Sequence, residues 1–492
     1  MTWFTKNRLW QWVLAGLAMG LGLMTAFWWV SIIGVGYFLH LIYTSGSTAE
    51  SITGTLLAWF IKAGLANTIF WLAYPINWLP IEIGQWQLLF IFLYWFFTSL
   101  AMTVGVLLVV YTEKILKNVF SNRHPVYLLG IASVWVIAEI ICSFAFSILM
   151  YGPGGTFNIS YSVGYIGYAI ADSHWLLQFA HVGGVYALGF LIVVLGFVFL
   201  HLWQQGRYGV AFLIALTLLG TSGVYKPLIL EAGADMYRIA VIDTHYEKHP
   251  STAETAHRFE LITAVDQAME FNPDYIILPE AAAYLNHQLP KQALKYGFLD
   301  RYPETSTILV DSGSVPTHNN SKVLQATLVD TSTGDLVTKQ KQFLVPQGEY
   351  LPYFFAFVIG AVTSFDMVDY LAQYMSYTVG EDTEQSVASQ YPEVLFCFEN
   401  LNPSGVRNLL RENNKMPFIA NPVSHSWFRR SPILEAQMHN WLQAQAVWND
   451  VFIVTAHHRG DSVVVAPTGE VIALPIVAAE EEWVVREAFI PK

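Results

Sequence analysis

This chain is short of charge and short of cysteine, and each shortage rules something out. Charged residues make up 13% of its 492 positions, against about 25% in an ordinary soluble domain. The deficit is uneven. Up to Tyr225 there are seven basic residues (Lys6, Arg8, Lys62, Lys114, Lys117, Arg123, Arg207) and five acidic ones (Glu50, Glu82, Glu113, Glu139, Asp172). The other 18 basic and 32 acidic residues follow, giving that part a net charge of −14. No basic stripe exists and the acidic part repels phosphate, so nucleic acid is excluded as a partner. Of the two cysteines, Cys142 lies in an apolar run that reads as membrane-embedded, which excludes a disulfide with Cys397. No His/Cys group has metal-ligand spacing; His457-His458 is an adjacent pair and reads as part of a loop. Neither a metal nor an organic cofactor is expected.

What is there is length and hydrophobicity. The chain exceeds one ordinary domain, and 54% of it is hydrophobic. A bilayer core needs roughly 20 apolar residues per helix. Thr55–Tyr74, Trp86–Tyr111, Val126–Met150, Val182–Leu202 and Gly209–Tyr225 qualify. Leu9–Tyr43 carries no charge over 35 residues, long for one helix and short for two. Two helices place Lys6 and Arg8, the Lys114–Arg123 loop and Arg207 on one side, as short cytoplasmic loops require. The reading is therefore a membrane domain of about seven helices over residues 1–229, with the amino terminus cytoplasmic. Residues 230–492 then form an extracytoplasmic domain. The intramembrane charges Lys62 and Glu139 are functional candidates by location. The glycine- and tyrosine-rich loop Tyr151–Trp175 is expected to cap the membrane surface.

From Tyr237 short apolar runs alternate with amphipathic helices, the pattern of an α/β domain. Strands are expected at Arg238–Asp243, Tyr275–Leu278, Thr307–Asp311, Val323–Asp330, Phe418–Asn421, Val451–Thr455 and Ser462–Ala466. Helices are expected at Thr252–Phe271, near Val406–Arg411 and at Pro432–Trp448. Leu351–Val362 is almost wholly apolar yet too short to span; a core helix and a lid lying on lipid both fit. Gly380–Gln390 reads as a surface loop.

Three chemically capable residues stand at strand ends: Glu280, Lys341 and Cys397. Strand ends are where α/β sheets present reactive groups. A carboxylate can take a thiol proton, the thiolate can attack a carbonyl, and an ammonium can stabilise the oxyanion. The backbone N–H of Phe398 could complete the oxyanion site. Each residue also has an ordinary explanation as a helix cap, a solvated lysine or a small buried hydrophobe.

Leu278-Pro-Glu280, Lys341-Gln-Phe-Leu-Val-Pro-Gln-Gly-Glu-Tyr-Leu-Pro352 and Cys397-Phe-Glu399 resemble the three signatures of the nitrilase (carbon–nitrogen hydrolase) superfamily. With a multi-span amino-terminal half, the chain is similar to the apolipoprotein N-acyltransferase family, as a divergent member. The resemblance implies an αββα sandwich behind the spans. It implies Glu280 as base, Lys341 as oxyanion stabiliser and Cys397 as acylated nucleophile, with Glu349 and Glu399 as further active-site carboxylates. Tyr350, Tyr353, Phe354 and Trp427 are candidates for substrate binding or a lid. The implied reaction moves a fatty acyl chain from a phospholipid, through a cysteine thioester, to the amino-terminal amine of a diacylglyceryl-modified lipoprotein. It takes place at the bacterial inner membrane, with the enzyme a monomer. A membrane-tethered amidase using the same three residues is the alternative; a scaffold that retains only the fold is a third reading. The chain departs from the family at Ser424-His425, where Asn-Asp is usual, and at Gln445-Ala-Val-Trp448, where Arg-Ala-x-Glu is usual. Gln347 stands where phenylalanine is common, and no closing apolar span precedes Lys492. These departures leave the acceptor open.

Overall fold

The computed structural model describes residues 2–25, 27–76, 86–120, 125–159, 161–207, 233, 235–246, 255–285, 298–303, 305–317, 321–381, 390–412, 416–428 and 430–492. The expected span Gly209–Tyr225 and most of the Gly380–Gln390 stretch lie outside them. The uncharged opening stretch forms two helices, α1 (Thr2–Met24) and α2 (Trp28–Thr44). Helix α3 (Thr48–Ala66) starts at Ser47, whose side chain accepts from the Glu50 N–H, and runs on into a 3-10 turn, Asn67–Ala73. Instead of one continuous helix from Trp86, a short turn separates α4 (Trp86–Ala101) from α5 (Val106–Val119). Then come α6 (Pro125–Leu149) and α7 (Ala180–Gln204). Among the described residues, Thr48–Ala73, Trp86–Val119, Pro125–Leu149 and Ala180–Gln204 are long and apolar enough to cross a membrane.

The α/β half is two sheets face to face. The first runs β11–β12–β1–β2–β3–β4–β5, built from β1 (Met236–Thr244), β2 (Tyr275–Ile277), β3 (Ile308–Pro316), β4 (Lys322–Asp330), β5 (Leu336–Gln340), β11 (Ile476–Ala479) and β12 (Trp483–Pro491). The second runs β6 (Glu393–Val394), β7 (Ile419–Ser424), β8 (Ile453–His458), β9 (Val463–Val465) and β10 (Val471–Ala473). The single residue pair Thr244–His458 joins β1 to β8, so the sheets meet at one corner. Alternation along β1 shows the layering. Ile239 and Val241, together with Ile277 of β2, face Val394, Ala420 and Val454 of the second sheet. Ala240 and Ile242 face outward onto Leu261, Val265 and Ala268 of α8 (Thr255–Met269).

Three further helices precede or cover the second sheet: α9 (Tyr353–Val362), α10 (Phe365–Tyr374) and α11 (Pro403–Glu412). Its outer face is packed by α12 (Pro432–Asn449), with Leu434, Met438 and Leu442 against Ile419, Val423 and Ile453. The order helix, sheet, sheet, helix is the αββα sandwich. Beyond α12 there is no gap: the same apolar cluster continues into the membrane helices as far as Trp12 and Met19. Gly184 marks the junction. It holds a left-handed φ of +58° at a kink in α7, and a Cβ there would collide with the Trp448 ring of α12. Only glycine meets both demands.

Two stretches differ from simple expectation. Helix α9 has a packed side and a bare one. Phe354 and Phe355 meet Phe97 and Tyr94 of α4 at 4.9 and 5.5 Å between ring centroids, while Tyr353 and Phe357 are exposed, as is Phe365 at the start of α10. The outer loop is no surface cap over its second part. Tyr161, Tyr165, Ile166 and Tyr168 are each at most 2% exposed, wedged between the membrane helices and the sandwich.

Candidate active site

Glu280 follows β2, whose ladder continues one residue further through the Leu278 N–H to Val310 O (3.0 Å). The chain then turns sharply: Ala281 and Ala283 both have left-handed φ, +59° and +53°. Alanine adopts this region at a cost of about 1 kcal/mol or more each. Ser312 of β3 holds the turn, its Oγ accepting from the Ala281 N–H and its carbonyl from the Ala283 N–H, both at 2.9 Å. Lys341 follows β5 directly, still bonded to β4 through Leu324 O at 2.9 Å. Cys397 begins a 3-10 turn, Cys397–Leu401, just past β6.

These three strand ends converge. The Lys341 ammonium, 1% exposed, donates to Glu280 Oε1 at 2.9 Å and to Glu349 Oε1 at 2.7 Å. Glu349 is fixed by the Val345 N–H on its other oxygen (2.7 Å). Burial works against the Lys341 cation, yet the two carboxylates outweigh it and its pKa is raised. Burial is also the main reason the Glu280 pKa is raised; Lys341 counters it and Glu349 reinforces it. Cys397 is half-buried as a residue, with its thiol enclosed. Burial first and the Glu280 charge second push that thiol up to about 12, against Lys341 and a hydrogen bond from the Ser424 backbone N–H. The same Ser424 N–H bonds the Glu280 carboxylate. The thiol therefore rests neutral beside the Lys341 ammonium and the Glu280 and Glu349 side chains. Such an arrangement can move a proton off sulfur when negative charge builds on an oxygen near the ammonium.

The other sequence candidates divide. Glu399 does not face the ammonium directly. Its two oxygens accept the backbone N–H groups of Gln342 (2.7 Å), Phe343 (3.2 Å) and Phe396 (2.9 Å), clamping the Cys397 turn to the lysine segment. Burial raises its pKa to about 7 against those N–H groups. Phe398 is partly buried and its ring lies 6.3 Å from Tyr161. Tyr350 is buried and donates to Met150 O at the end of α6 (2.8 Å), so it joins the two halves. Trp427 lies against Gly348, where any Cβ would strike its ring, and so braces the turn that carries Glu349. Tyr353 is 58% exposed on the bare side of α9, and Phe354 packs on Phe97. Beside the site, Phe146, Met150, Gln342, Tyr350 and Phe398 line an open cleft of about 360 Å³ between α6 and the sandwich. Among the described residues no group of three or more His, Cys, Asp or Glu could hold a metal.

Sequence reasoning had marked Ser424 only as a departure and had not seen Ser312. Ser424 acts through its backbone, and Ser312 through a hydroxyl and a carbonyl that reach a turn 31 residues away in sequence, which no local pattern announces. The departures in α12 are structural: Gln445 donates to Asn400 O (3.3 Å), and Trp448 fills the Gly184 notch. Asn400 in turn donates to Asn421 Oδ1 (2.9 Å), so the Cys397 turn is tied to both β7 and α12.

The family model described as carbon-nitrogen hydrolase matches residues 238–487. The apolipoprotein N-acyltransferase of Rickettsia typhi is 23% identical over 373 residues, covering 72% of this chain and 68% of that protein. That of Aquifex aeolicus is 28% identical over 224 residues, covering 43% of this chain and 45% of its own. Among solved structures, an amidase from Nesterenkonia, of the nitrilase superfamily, is similar at 19% identity and a TM-score of 0.36, covering 53% of this chain and 93% of that one.

Proposed function

The chain belongs to the carbon-nitrogen hydrolase family, and from that premise we propose that it is a membrane acyltransferase of lipoprotein maturation. Its acyl donor is a phospholipid and its acceptor the amino-terminal amine of a diacylglyceryl-cysteine lipoprotein. The observation that carries this reading is the Lys341 ammonium held at 2.9 and 2.7 Å by two buried carboxylates, next to the Cys397 thiol and a cleft bordered by α6. The similarity to apolipoprotein N-acyltransferases over about three quarters of the chain supports it.

In the first half-reaction Glu280 takes the thiol proton and the thiolate attacks the ester carbonyl. Lys341 and the Phe398 N–H stabilise the oxyanion. Collapse expels the lysophospholipid oxygen, which leaves with the proton from Glu280, and an acyl thioester remains. The acceptor amine then attacks that carbonyl, Glu280 takes its proton, and the thiol is restored as the amide forms. Enclosure of the thiol slows loss of the thioester to water. Residues 1–229 anchor the protein in the bacterial inner membrane with the amino terminus cytoplasmic. Residues 230–492 work at the outer leaflet, where both lipid substrates lie. That confinement turns a search in volume into positioning on a surface.

The test is intact-protein mass after incubation with phospholipid vesicles. A fatty-acyl adduct that is absent in Cys397→Ala is expected. No adduct under any lipid condition, with ammonia released from short amides instead, would make the chain a tethered amidase.

A further inference from the structure

The nucleophile's turn is held from an unexpected direction. Its last residue, Leu401, gives its carbonyl to the outer loop of the membrane half. Ser162 donates to that oxygen twice, from its backbone N–H at 3.1 Å and its hydroxyl at 2.7 Å. The Ser162 hydroxyl also meets Tyr168 OH at 2.8 Å. Tyr168 sits in the 3-10 turn Ile166–Ile170, and the Ile166 N–H that opens this turn donates to Glu139 Oε1 at 2.8 Å. That oxygen is the one Lys62 grips at 2.7 Å, deep among the membrane helices. Lys62 and Glu139 are each about 3% exposed or less. The Lys62 ammonium lies over Trp59 at 4.1 Å and near Trp135 at 5.6 Å. A parallel strut runs from Asn67, which accepts from Tyr161 OH at 2.6 Å, through the Tyr161 ring to Phe398.

A bolt that only joined helices α3 and α6 would need no third partner. Here one carboxylate oxygen serves both the ammonium and a loop N–H, and the loop ends on the carbonyl of the turn that begins at Cys397. Every link is buried, so water offers none of these groups a substitute partner. We propose that Lys62 and Glu139 are positioning residues: through Ile166 and Ser162 they set the Cys397 thiol relative to Glu280 and Lys341. This rests on Cys397 as the nucleophile. It assigns the intramembrane pair a part in the reaction without contact to substrate.

The experiment uses the full chain in detergent micelles and reads iodoacetamide labelling of each cysteine by peptide mass. Cys142 is fully buried in α6, with its sulfur accepting from the Gly105 N–H, so its labelling reports unfolding. The double variant Lys62→Met/Glu139→Gln keeps an acceptor for Ile166; Lys62→Met/Glu139→Leu does not. The first loses the Lys62 grip but keeps the Ile166 link, so it should label Cys397 more slowly than the parent and faster than the second. The second should label it about tenfold more slowly while Cys142 stays unlabelled, the scale expected of a small misplacement of a reacting group. Ser162→Ala should slow labelling similarly, and adding it to the leucine variant should slow it little more, because both cuts break one chain. A parent-like or faster Cys397 rate in the leucine variant, with Cys142 protected, would overturn the proposal. Should that variant expose Cys142, Ser162→Ala decides by itself: slower labelling supports the proposal and an unchanged rate overturns it. Labelling needs no acyl donor, so a missing fatty-acyl adduct would sink the acyltransferase reading and leave this inference standing.

Discussion

Among the described residues two lysines are buried, one in each half, and they are employed differently. Lys62 meets one carboxylate, Glu139, at 2.7 Å, with its charge further shared by the Trp59 and Trp135 faces. The account there is closed: one cation, one anion, and a backbone N–H on the anion's remaining capacity. Lys341 meets two carboxylates at 2.9 and 2.7 Å with a thiol beside them. That group carries a surplus of negative charge and a proton with somewhere to go. A balanced buried pair fixes geometry; an unbalanced one is poised to change its protonation state. The comparison teaches that burial of a charge does not by itself mark chemistry, and that what surrounds the ion pair does.

Four variants sharpen or break this contrast. The largest effect is expected from Lys341→Met. With no cation for the oxyanion, acyl-adduct formation on Cys397 should slow about 10³-fold, read by the rate of mass gain with phospholipid vesicles. A parent-like rate would place Lys341 with Lys62, as an ion that acts without touching the substrate. Next comes Lys62→Met, which strands the Glu139 charge and should cost about 3–5 kcal/mol of stability in a denaturant titration. Replacing both members, as Lys62→Met/Glu139→Leu, should recover most of that loss, because two well-packed apolar side chains replace a balanced pair. The smallest effect is a shift in pH dependence. Only ionised Glu280 accepts the thiol proton and its pKa is raised, so adduct formation should climb with pH through that raised value and fall away on acidification. Glu349→Gln removes one charge that raises it, so the climb should begin at lower pH. An unmoved acid limb would mean that Glu349 does not bear on the base.

Much of the site was legible because its members are charged residues set at the ends of apolar runs. Glu280 after Tyr275–Leu278 and Lys341 after β5 stand out in sequence for that reason. The alternation from Tyr237 onward likewise announced an α/β domain, although its two-sheet layering came from the family resemblance and not from periodicity. The two-helix reading of Leu9–Tyr43 rested on loop charge, and helices α1 and α2 are what the chain forms. The illegible parts are those in which the backbone acts. The Ser424 N–H bonds both Glu280 and Cys397, and any residue except proline could supply it. The left-handed turn at Ala281 and Ala283 uses a residue type that gives no warning of it. Residues 161–171 misled through composition: glycine, serine and tyrosine suggest a surface loop, yet the tyrosines bury their rings and satisfy their hydroxyls inside. Leu351–Val362 resisted a single reading because α9 is both things at once, packed on α4 along one side and bare along the other.

Because one apolar cluster passes from Trp12 through α12 to Val465, the hydrolase portion has no independent floor. Excised near Met236, it would carry Phe354, Phe355 and Trp448, whose ring partners Phe97, Tyr94 and Tyr186 lie in the membrane helices, as an oily wound and should precipitate unless micelles dress it. In the cell the same continuity imposes a schedule. The amino-terminal helices emerge first, and α12, made near the end, has a bed to settle on only once they are in place.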